Sequence, residues 1–246
     1  MNISANTLFH FTKDIQTIIN ILETKFYPRL CLEDSVIPQL PFRLAIPMVC
    51  FCDIPLSQIV EHTSKYGNYG IGIKKDWAMK QGVTPVLYVH DNSLIPQTII
   101  SELVELCKMN VAGKQEVMPK IMRYIDSVNM MKRYSGYDDR LKREICYYDE
   151  REWRYVPPRE SDSQFCYLIE EGFKQDNVRN SIDKENEKYG VTFNPDMINY
   201  IIVDKEDEVL NIKYKIEKIK GSSFSFDSVQ KLTTRILSME RIKEDM

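Results

Sequence analysis

Short segments with strand-like patterns alternate with helix-like spacings along the chain, and this alternation is the strongest constraint on its fold. Each strand-like segment is too brief for the long apolar runs of a doubly wound parallel sheet. These segments lie around Leu8, Met48, Ile71, Val86, Glu152 and Ile201. The sequence therefore predicts a single α+β domain over residues 1–246, built on a mixed, split central sheet.

Residues 93–132 interrupt the alternation with a helical pattern alone. Apolar side chains recur there at the three-residue and four-residue intervals of an amphipathic helix. They are Ile99, Ile100, Leu103 and Leu106, followed by Val117, Ile121, Ile125 and Val128. We expect these residues to form a helical insertion within the single domain.

The charge and hydropathy of the chain argue against two classes of protein. The formal net charge is −3 and the basic residues are spread along the chain, so the overall charge is not that of a nucleic-acid-binding protein. A local basic patch stays open at Lys132-Arg133 with Arg140, Lys142 and Arg143, but such residues more often form a solvated helix or loop face, which is the expectation here. No apolar run approaches the roughly 20 residues that span a bilayer, and the polar start is not a signal peptide. We expect a cytoplasmic protein with no membrane partner.

The six cysteines lie mostly within apolar or aromatic segments, which is typical of reduced thiols in a cytoplasmic protein. A chain of this length does not need a disulfide framework, so six free thiols are expected. Cys50-x-Cys52 lacks the second pair of ligands that a zinc site requires. No metal site is therefore predicted.

The segment from Tyr147 to Val156 carries two carboxylates that are separated by one residue. In a β-strand, alternate side chains share a face, so Glu150, Glu152 and Arg154 would point the same way. In a cleft, two neighbouring carboxylates raise the proton affinity of one and leave the other ionised. The alternative is an exposed edge strand whose charges alternate for solubility.

The first strand carries a second candidate group. His10 and Thr12 alternate with Phe9 and Phe11, so the two polar side chains are expected on one face and the two phenyl rings on the other. The chain has only three histidines, which draws attention to this one. The alternative is a core histidine whose hydrogen bonds are satisfied within the protein.

The order of these segments resembles that of ADP-ribosyltransferases. The shared features are an early Phe-His-Phe-Thr strand followed by a helix, a Tyr-Gly-x-Tyr-Gly turn after a buried strand, and a late Glu-x-Glu strand. The start, Leu8 to Thr12 with its Ile-x-x-Ile-Ile-x-x-Leu helix, is similar to the opening of DarT-type enzymes. This resemblance implies a split central sheet of the same type, with NAD as the substrate.

The resemblance also implies a set of binding residues. In these enzymes a residue of the first strand holds the adenosine-side ribose and an aromatic ring stacks on the nicotinamide. His10 and Thr12 would then hydrogen-bond ribose hydroxyls. Tyr66 or Tyr69 would stack on the nicotinamide, and Tyr88 stays open as a further alternative.

The late carboxylates would be the catalytic residues. Cleavage of the nicotinamide glycosidic bond builds positive charge on the ribose carbon, and Glu152 would stabilise that charge. Glu150 would orient the acceptor nucleophile or accept its proton. The sequence lacks the Ser-Thr-Ser strand motif of the arginine-modifying enzymes, so that subclass is not implied.

At the level of the whole chain, the sequence resembles the AbiGi family of abortive-infection, phage-resistance proteins. The segments that carry this resemblance are Leu8 to Thr12, Pro47 to Ser57, Tyr66 to Gly72 with Lys75 and Trp77, Pro85 to Tyr88, and Glu150 to Arg154. The resemblance implies a role in bacterial phage defence. Members of the family are described as the antitoxin-like partner in a two-gene system.

Two functions therefore stay open, beside an α+β domain with no ligand. The first is an NAD-dependent enzyme of phage defence that modifies a macromolecular acceptor, whether protein, DNA or RNA. The second is a non-catalytic binding protein that pairs with a cognate toxin or antitoxin. The two differ in whether the His, Tyr and Glu residues above turn over NAD or are structural.

Overall fold

A mixed β-sheet forms the centre of the protein, and helices pack on both of its faces. The computed structural model describes residues 5–36, 43–111, 117–138, 141–158 and 168–245. The elements of the first part are β1 (Thr7–Thr12), α1 (Ile15–Glu23), β2 (Arg29–Asp34), β3 (Arg43–Cys52), α2 (Ile59–Tyr66), β4 (Tyr69–Lys74), α3 (Lys75–Lys80), β5 (Thr84–Pro85), β6 (Leu87–Val89), α4 (Leu94–Val111) and α5 (Met118–Val128).

The second part of the chain adds further short strands and helices. Its elements are β7 (Met131–Arg133), β8 (Ser135–Asp138), β9 (Arg143–Cys146), β10 (Glu152–Tyr155), β11 (Leu168–Ile169), α6 (Glu170–Phe173), α7 (Asp176–Asn186), β12 (Ile198–Val203), α8 (Glu208–Lys220), α9 (Phe226–Thr233), β13 (Ile236–Ser238) and α10 (Met239–Asp245). One-turn 3-10 helices lie at Leu56–Gln58, Tyr147–Glu150, Glu187–Tyr189 and Pro195–Met197.

The main path of the sheet runs in the order β13, β12, β4, β1, β3, β10 and β5. β12 and β13 are parallel, whereas the other neighbours along this path are antiparallel. β2 and β11 pair with the first half of β3, and β10 pairs with its second half. The predicted α+β class with a mixed central sheet is thus confirmed.

The sheet is split between β1 and β3. Within the described residues these two strands share a single paired position, Phe9 with Cys52. Next to that position the His10 imidazole replaces the backbone ladder, because its Nδ1 donates a hydrogen bond to the Cys50 carbonyl oxygen at 2.8 Å. The gap that results is the place where side chains of both strands can face a ligand.

Alternate residues of β1 pack into two different cores, as a period of two requires. Leu8 packs with Ile18 and Leu22 of α1 on one face of the sheet. Phe9 packs with Ile59 of α2 and Met239 of α10 on the other face. Burial of each such side chain contributes about 1.5–3 kcal/mol, so helices on both faces fix the position of β1.

Two boundaries predicted from the sequence need correction. The helices α4 and α5 lie within residues 93–132, but Met131 and Lys132 at the end of that range belong to β7, which pairs in parallel with β6. In the C-terminal segment, the helix-like spacing of Leu232, Ile236, Leu237 and Ile242 predicts a terminal helix that docks or frays. Instead, Ile236–Ser238 forms β13 beside β12, because Ile236 and Ser238 are buried at the edge of the sheet.

The cysteines of the described residues are consistent with the thiols that the sequence predicts. Cys31, Cys50, Cys52 and Cys146 are free. The side chains of Cys107 and Cys166 lie outside the described part of the chain. Among the described residues, no helix combines the length and the apolar character that a membrane span needs.

Candidate functional site

A cavity of about 580 Å³ opens at the split between β1 and β3. This volume is within the range of small-molecule and cofactor sites. Its lining includes Phe9, His10 and Phe11 of β1, Cys50, Phe51 and Cys52 of β3, Cys31 to Asp34 of β2, Arg43, His62, Tyr66, Lys132, Arg133, Tyr137, Asp138, Tyr147, Glu150, Glu152 and Phe173. Four of the six residues that the sequence singled out, namely His10, Tyr66, Glu150 and Glu152, thus line one cavity.

Glu150 and Glu152 meet in this cavity, but not by the predicted strand alternation. Tyr147–Glu150 forms a 3-10 turn, and Arg151 adopts a left-handed conformation with φ 46°. β10 begins only at Glu152. The prediction that Glu150 lies on a strand is therefore wrong. The left-handed Arg151 turns the chain so that both carboxylates still reach the same cation.

That cation is Lys132. Its Nζ lies 2.6 Å from Oε2 of Glu150 and 2.7 Å from Oε2 of Glu152. The side chain of Lys132 is only 15% exposed, so its predicted position on a solvated surface is wrong. Burial lowers the pKa of Lys132, but the surrounding carboxylates Glu152, Glu33 and Glu150 outweigh that effect and raise it well above its usual value.

Glu152 is also held by Arg154, two residues along β10 on the same face. The Arg154 Nε donates to Oε1 of Glu152 at 2.6 Å, and Nη2 reaches Oε2 at 3.2 Å. Arg154 is almost fully buried and bonds Glu33 at 2.6 Å and the Asn129 carbonyl oxygen at 2.9 Å. Glu152 and Arg154 thus share one face of β10, as the strand alternation predicts.

Glu150 is held from the opposite side by α2. The Tyr66 hydroxyl donates to Oε1 of Glu150 at 2.7 Å, and the Lys65 ammonium is paired with the same oxygen. Lys65 also lies 3.2 Å from Asp138. Each of the four carboxylate oxygens of Glu150 and Glu152 therefore has a cationic or phenolic partner.

These cations decide the protonation of the carboxylates. Burial raises the pKa of Glu152, but Arg154 and Lys132 outweigh it and lower the pKa to about 2. Burial likewise opposes ionisation of Glu150, and Lys132 and Lys65 hold its pKa below the usual value. The expectation that one carboxylate gains proton affinity is wrong, because three cations compensate two negative charges.

His10 has a fixed tautomer. Its Nδ1 must carry the proton, because it bonds a carbonyl oxygen, and this leaves Nε2 as an acceptor. The ring lies edge-on to Phe26 and Phe51, with centroids 5.6 and 5.8 Å away. Burial lowers the pKa of His10, although the hydrogen bond to Cys50 opposes this. A neutral ring of this kind can accept a hydrogen bond from a hydroxyl group.

Thr12 and Tyr69 lie outside the lining of the cavity. Thr12 ends β1, and its hydroxyl accepts a weak hydrogen bond from the Asp14 amide at 3.5 Å. The Tyr69 hydroxyl donates to Glu208 at 2.9 Å. Tyr88, the third aromatic alternative, accepts a hydrogen bond from the Glu152 amide at 2.8 Å and is also outside the lining. Among the three tyrosines, only Tyr66 faces the cavity.

Sequence reasoning missed other residues of this site. Lys65 and Lys132 are ordinary surface residues by pattern, and only tertiary contacts bring them to Glu150. The Tyr147 ring lies within 5.5 Å of both ammonium groups. His62 stacks on Tyr66 with ring centroids 4.6 Å apart. The His62–Tyr66 spacing of four residues on α2 was the one local signal that could have indicated this pair.

The fold and the cavity define an α+β protein with a buried acidic pair that three cations compensate. The sequence model of the AbiGi family, described as "Putative abortive phage resistance protein AbiGi, antitoxin", matches residues 24–204. The chain therefore belongs to the AbiGi family of abortive phage resistance proteins. It is 28% identical over 229 residues to the abortive phage resistance protein AbiGi of Lactococcus lactis subsp. cremoris, with 81% of this chain and 88% of that protein covered.

Membership of the family supports phage defence as the biological setting of the protein. No solved structure matches the chain. The resemblance to ADP-ribosyltransferases therefore stays a prediction.

Proposed function

We propose that this protein is a phage-defence enzyme that cleaves NAD and transfers ADP-ribose to a macromolecular acceptor. The observation that carries the proposal is the convergence of His10, Tyr66, Glu150 and Glu152 on one cavity at the split of the sheet. These residues belong to separate sequence segments that span 143 positions, from 10 to 152. Their convergence supports a shared role.

The electrostatics of Glu152 fit the cleavage step. Loss of nicotinamide leaves positive charge on the ribose carbon, and an ionised carboxylate in a buried site stabilises that charge. With a pKa of about 2, Glu152 is ionised at every physiological pH. Arg154 and Lys132 fix its orientation, so the carboxylate does not have to reorganise during the reaction.

The cavity also has groups that suit the rest of NAD. The His10 Nε2 accepts a hydrogen bond from a ribose hydroxyl. Arg43 and Arg133 line the cavity, and each is paired with a half-exposed carboxylate, Asp34 and Asp91 respectively. Each guanidinium can leave this carboxylate and bind the diphosphate of NAD instead. Tyr66 offers its ring near Glu150, while His62 covers one face of that ring. The place of action would be the cytoplasm, where both NAD and phage macromolecules are found.

Glu150 has a narrower role in this proposal than a general base. Both of its oxygens already accept hydrogen bonds, from Lys65 and Tyr66 on Oε1 and from Lys132 on Oε2, so it is poorly placed to take a proton from an acceptor. Its contacts with Tyr66 and Lys132 suit a carboxylate that positions neighbouring groups.

The test is direct. The purified full chain is incubated with NAD labelled in the adenylate part, with and without bacterial extract, and free nicotinamide and labelled macromolecules are measured. We expect both products from the wild type and a loss of about 10²-fold or more in Glu152→Gln. Glu185→Gln, at an exposed carboxylate of α7, is the matched control. Absence of NAD turnover in the wild type would rule out the enzyme.

A second candidate function is a non-catalytic partner of a cognate toxin. It is favoured by the complete pairing of the Glu150 and Glu152 oxygens, which is what a purely structural ion network would show. The antitoxin description of the family supports it as well. Cells that express Glu152→Gln or Tyr66→Phe are challenged with phage. Full defence by folded variants that lack NAD turnover would support the binding partner over the enzyme.

A further inference from the structure

His62 lines the cavity and has unused hydrogen-bonding capacity. It lies on α2 with its ring stacked on Tyr66, at a centroid distance of 4.6 Å and an interplanar angle of 26°. The Phe11 ring is 5.7 Å away on another side. Within the described residues, neither ring nitrogen of His62 takes part in a hydrogen bond or an ion pair. The ring is thus held by stacking alone, with its nitrogens available to a ligand.

The polar groups to which a role has been assigned above are already engaged. Glu150 and Glu152 have partners on all four oxygens, and Tyr66 donates its hydroxyl proton to Glu150. His10 uses Nδ1 on the Cys50 carbonyl oxygen, and its Nε2 is assigned above to a ribose hydroxyl. The chemistry of transfer needs one more group, because an O–H or N–H acceptor must lose its proton as it attacks the ribose carbon.

We propose that His62 is the catalytic residue that accepts this proton. The proposal rests on the NAD-dependent function given above. In the step, the bond between the ribose carbon and the nicotinamide nitrogen breaks, and its electron pair leaves with nicotinamide. The acceptor oxygen or nitrogen forms the new bond to the same carbon, and its proton moves to a ring nitrogen of His62. The imidazolium then releases the proton to water, so no further reactant is needed.

The charges around His62 agree with this role. Burial, the largest effect, and the ammonium groups of Lys65 and Lys132 lower the pKa of His62 to about 4, while Glu150 and Glu152 oppose them. The ring is therefore neutral near pH 7 and has a free lone pair. Its pKa lies above that of Glu152, at about 2, so the imidazole is the better proton acceptor of the two.

Two substitutions of His62 distinguish its proposed role as a base from its packing against neighbouring rings. His62→Phe keeps a ring against Tyr66 and Phe11 but has no nitrogen. His62→Ala leaves space that added imidazole can enter. His90→Phe is the matched control, because His90 is exposed and outside the cavity lining.

The full chain is supplied with NAD and with methanol as a small O–H acceptor, and methyl ADP-ribose and nicotinamide are measured. We expect His62→Phe to form methyl ADP-ribose about 10²-fold more slowly than the wild type. Added imidazole should restore the formation of methyl ADP-ribose by His62→Ala. The restored rate should rise as pH increases through the pKa of free imidazole. His90→Phe should behave as the wild type.

A binding measurement provides a second readout. In ¹⁵N spectra of the imidazole rings, carba-NAD, which is not cleaved, should shift the signals of His62 and leave those of His90 in place. Full methanol transfer by His62→Phe, no rescue of folded His62→Ala by imidazole, or unmoved His62 signals would each overturn the role of His62 while NAD cleavage by the wild type stands. If the wild type releases no nicotinamide, the proposed function fails and this role fails with it.

Discussion

The Lys132 ammonium lies 2.7 Å from Oε2 of Glu152, across 20 positions of sequence. Lys132 is the last residue of the range 93–132, whose helices α4 and α5 precede it. The same ammonium lies 2.6 Å from Glu150. The position of β7 after these two helices therefore decides whether the Lys132 ammonium can neutralise the negative charges of Glu150 and Glu152.

Removal of that ammonium should be strongly destabilising. In Lys132→Met, two buried carboxylates lose a shared cation, and breaking a buried ion pair from one side costs about 3–5 kcal/mol. The free energy of unfolding, measured with urea near pH 7, should fall by this amount. Lys174→Met is the control, because Lys174 pairs with Glu170 on an exposed surface and should change stability by less than about 1 kcal/mol. Equal effects of the two substitutions would contradict the ion network.

The two carboxylates should differ in their importance for stability. Glu152→Gln leaves the buried Arg154 with Glu33 as its one remaining carboxylate within the described residues. After Glu150→Gln, Lys132 keeps Glu152 and Lys65 keeps Asp138. We expect Glu152→Gln to lower the melting temperature clearly more than Glu150→Gln. The reverse order would show that Arg154 does not depend on Glu152. This measurement also identifies the temperature at which the NAD assay of Glu152→Gln is valid.

The sequence predicted the parts of the fold that local patterns encode. Period-two alternation located His10 on β1, and helical spacing located α4 and α5. The pattern failed at Glu150, because a non-glycine residue, Arg151, takes a left-handed conformation that no local signal announces. It failed at Lys132 for another reason. The burial of that residue depends on carboxylates 18 and 20 positions away, which only the tertiary fold brings near.

Acid should destabilise the protein in two steps. The pKa of His62 is about 4 in the native protein and 6.5 in a free side chain, so the unfolded chain binds a proton that the native ring does not. Stability is therefore lost as pH falls from about 6.5 to about 4. The lowered pKa of Glu152 causes a further loss as pH falls from about 4.5 to about 2.

The first step has a specific test. Groups that face His62 are Tyr66, Phe11, Glu150, Glu152, Lys65 and Lys132, and none of them is changed in His62→Phe. Between about pH 6.5 and 5, above the range in which the carboxylates titrate, the slope of unfolding free energy against pH should be smaller in His62→Phe than in the wild type, and His10 contributes to the slope that is left. His90→Phe should keep the slope of the wild type. An unchanged slope in His62→Phe would mean that the native ring is not held neutral.

Gly67 allows β1 and α2 to approach closely enough for Tyr66 to reach Glu150. Its φ is +111°, and a Cβ at this position would lie 2.2 Å from the Thr12 carbonyl oxygen. Gly82 also has a positive φ, +86°, but a Cβ there would meet nothing within 4 Å. Both alanine substitutions carry the backbone strain of a positive φ. The difference between their losses of unfolding free energy therefore measures the steric clash of a Cβ at position 67 with Thr12 alone. We expect Gly67→Ala to lose about 1–3 kcal/mol more unfolding free energy than Gly82→Ala. Equal losses would show that α2 moves away from Thr12 without cost.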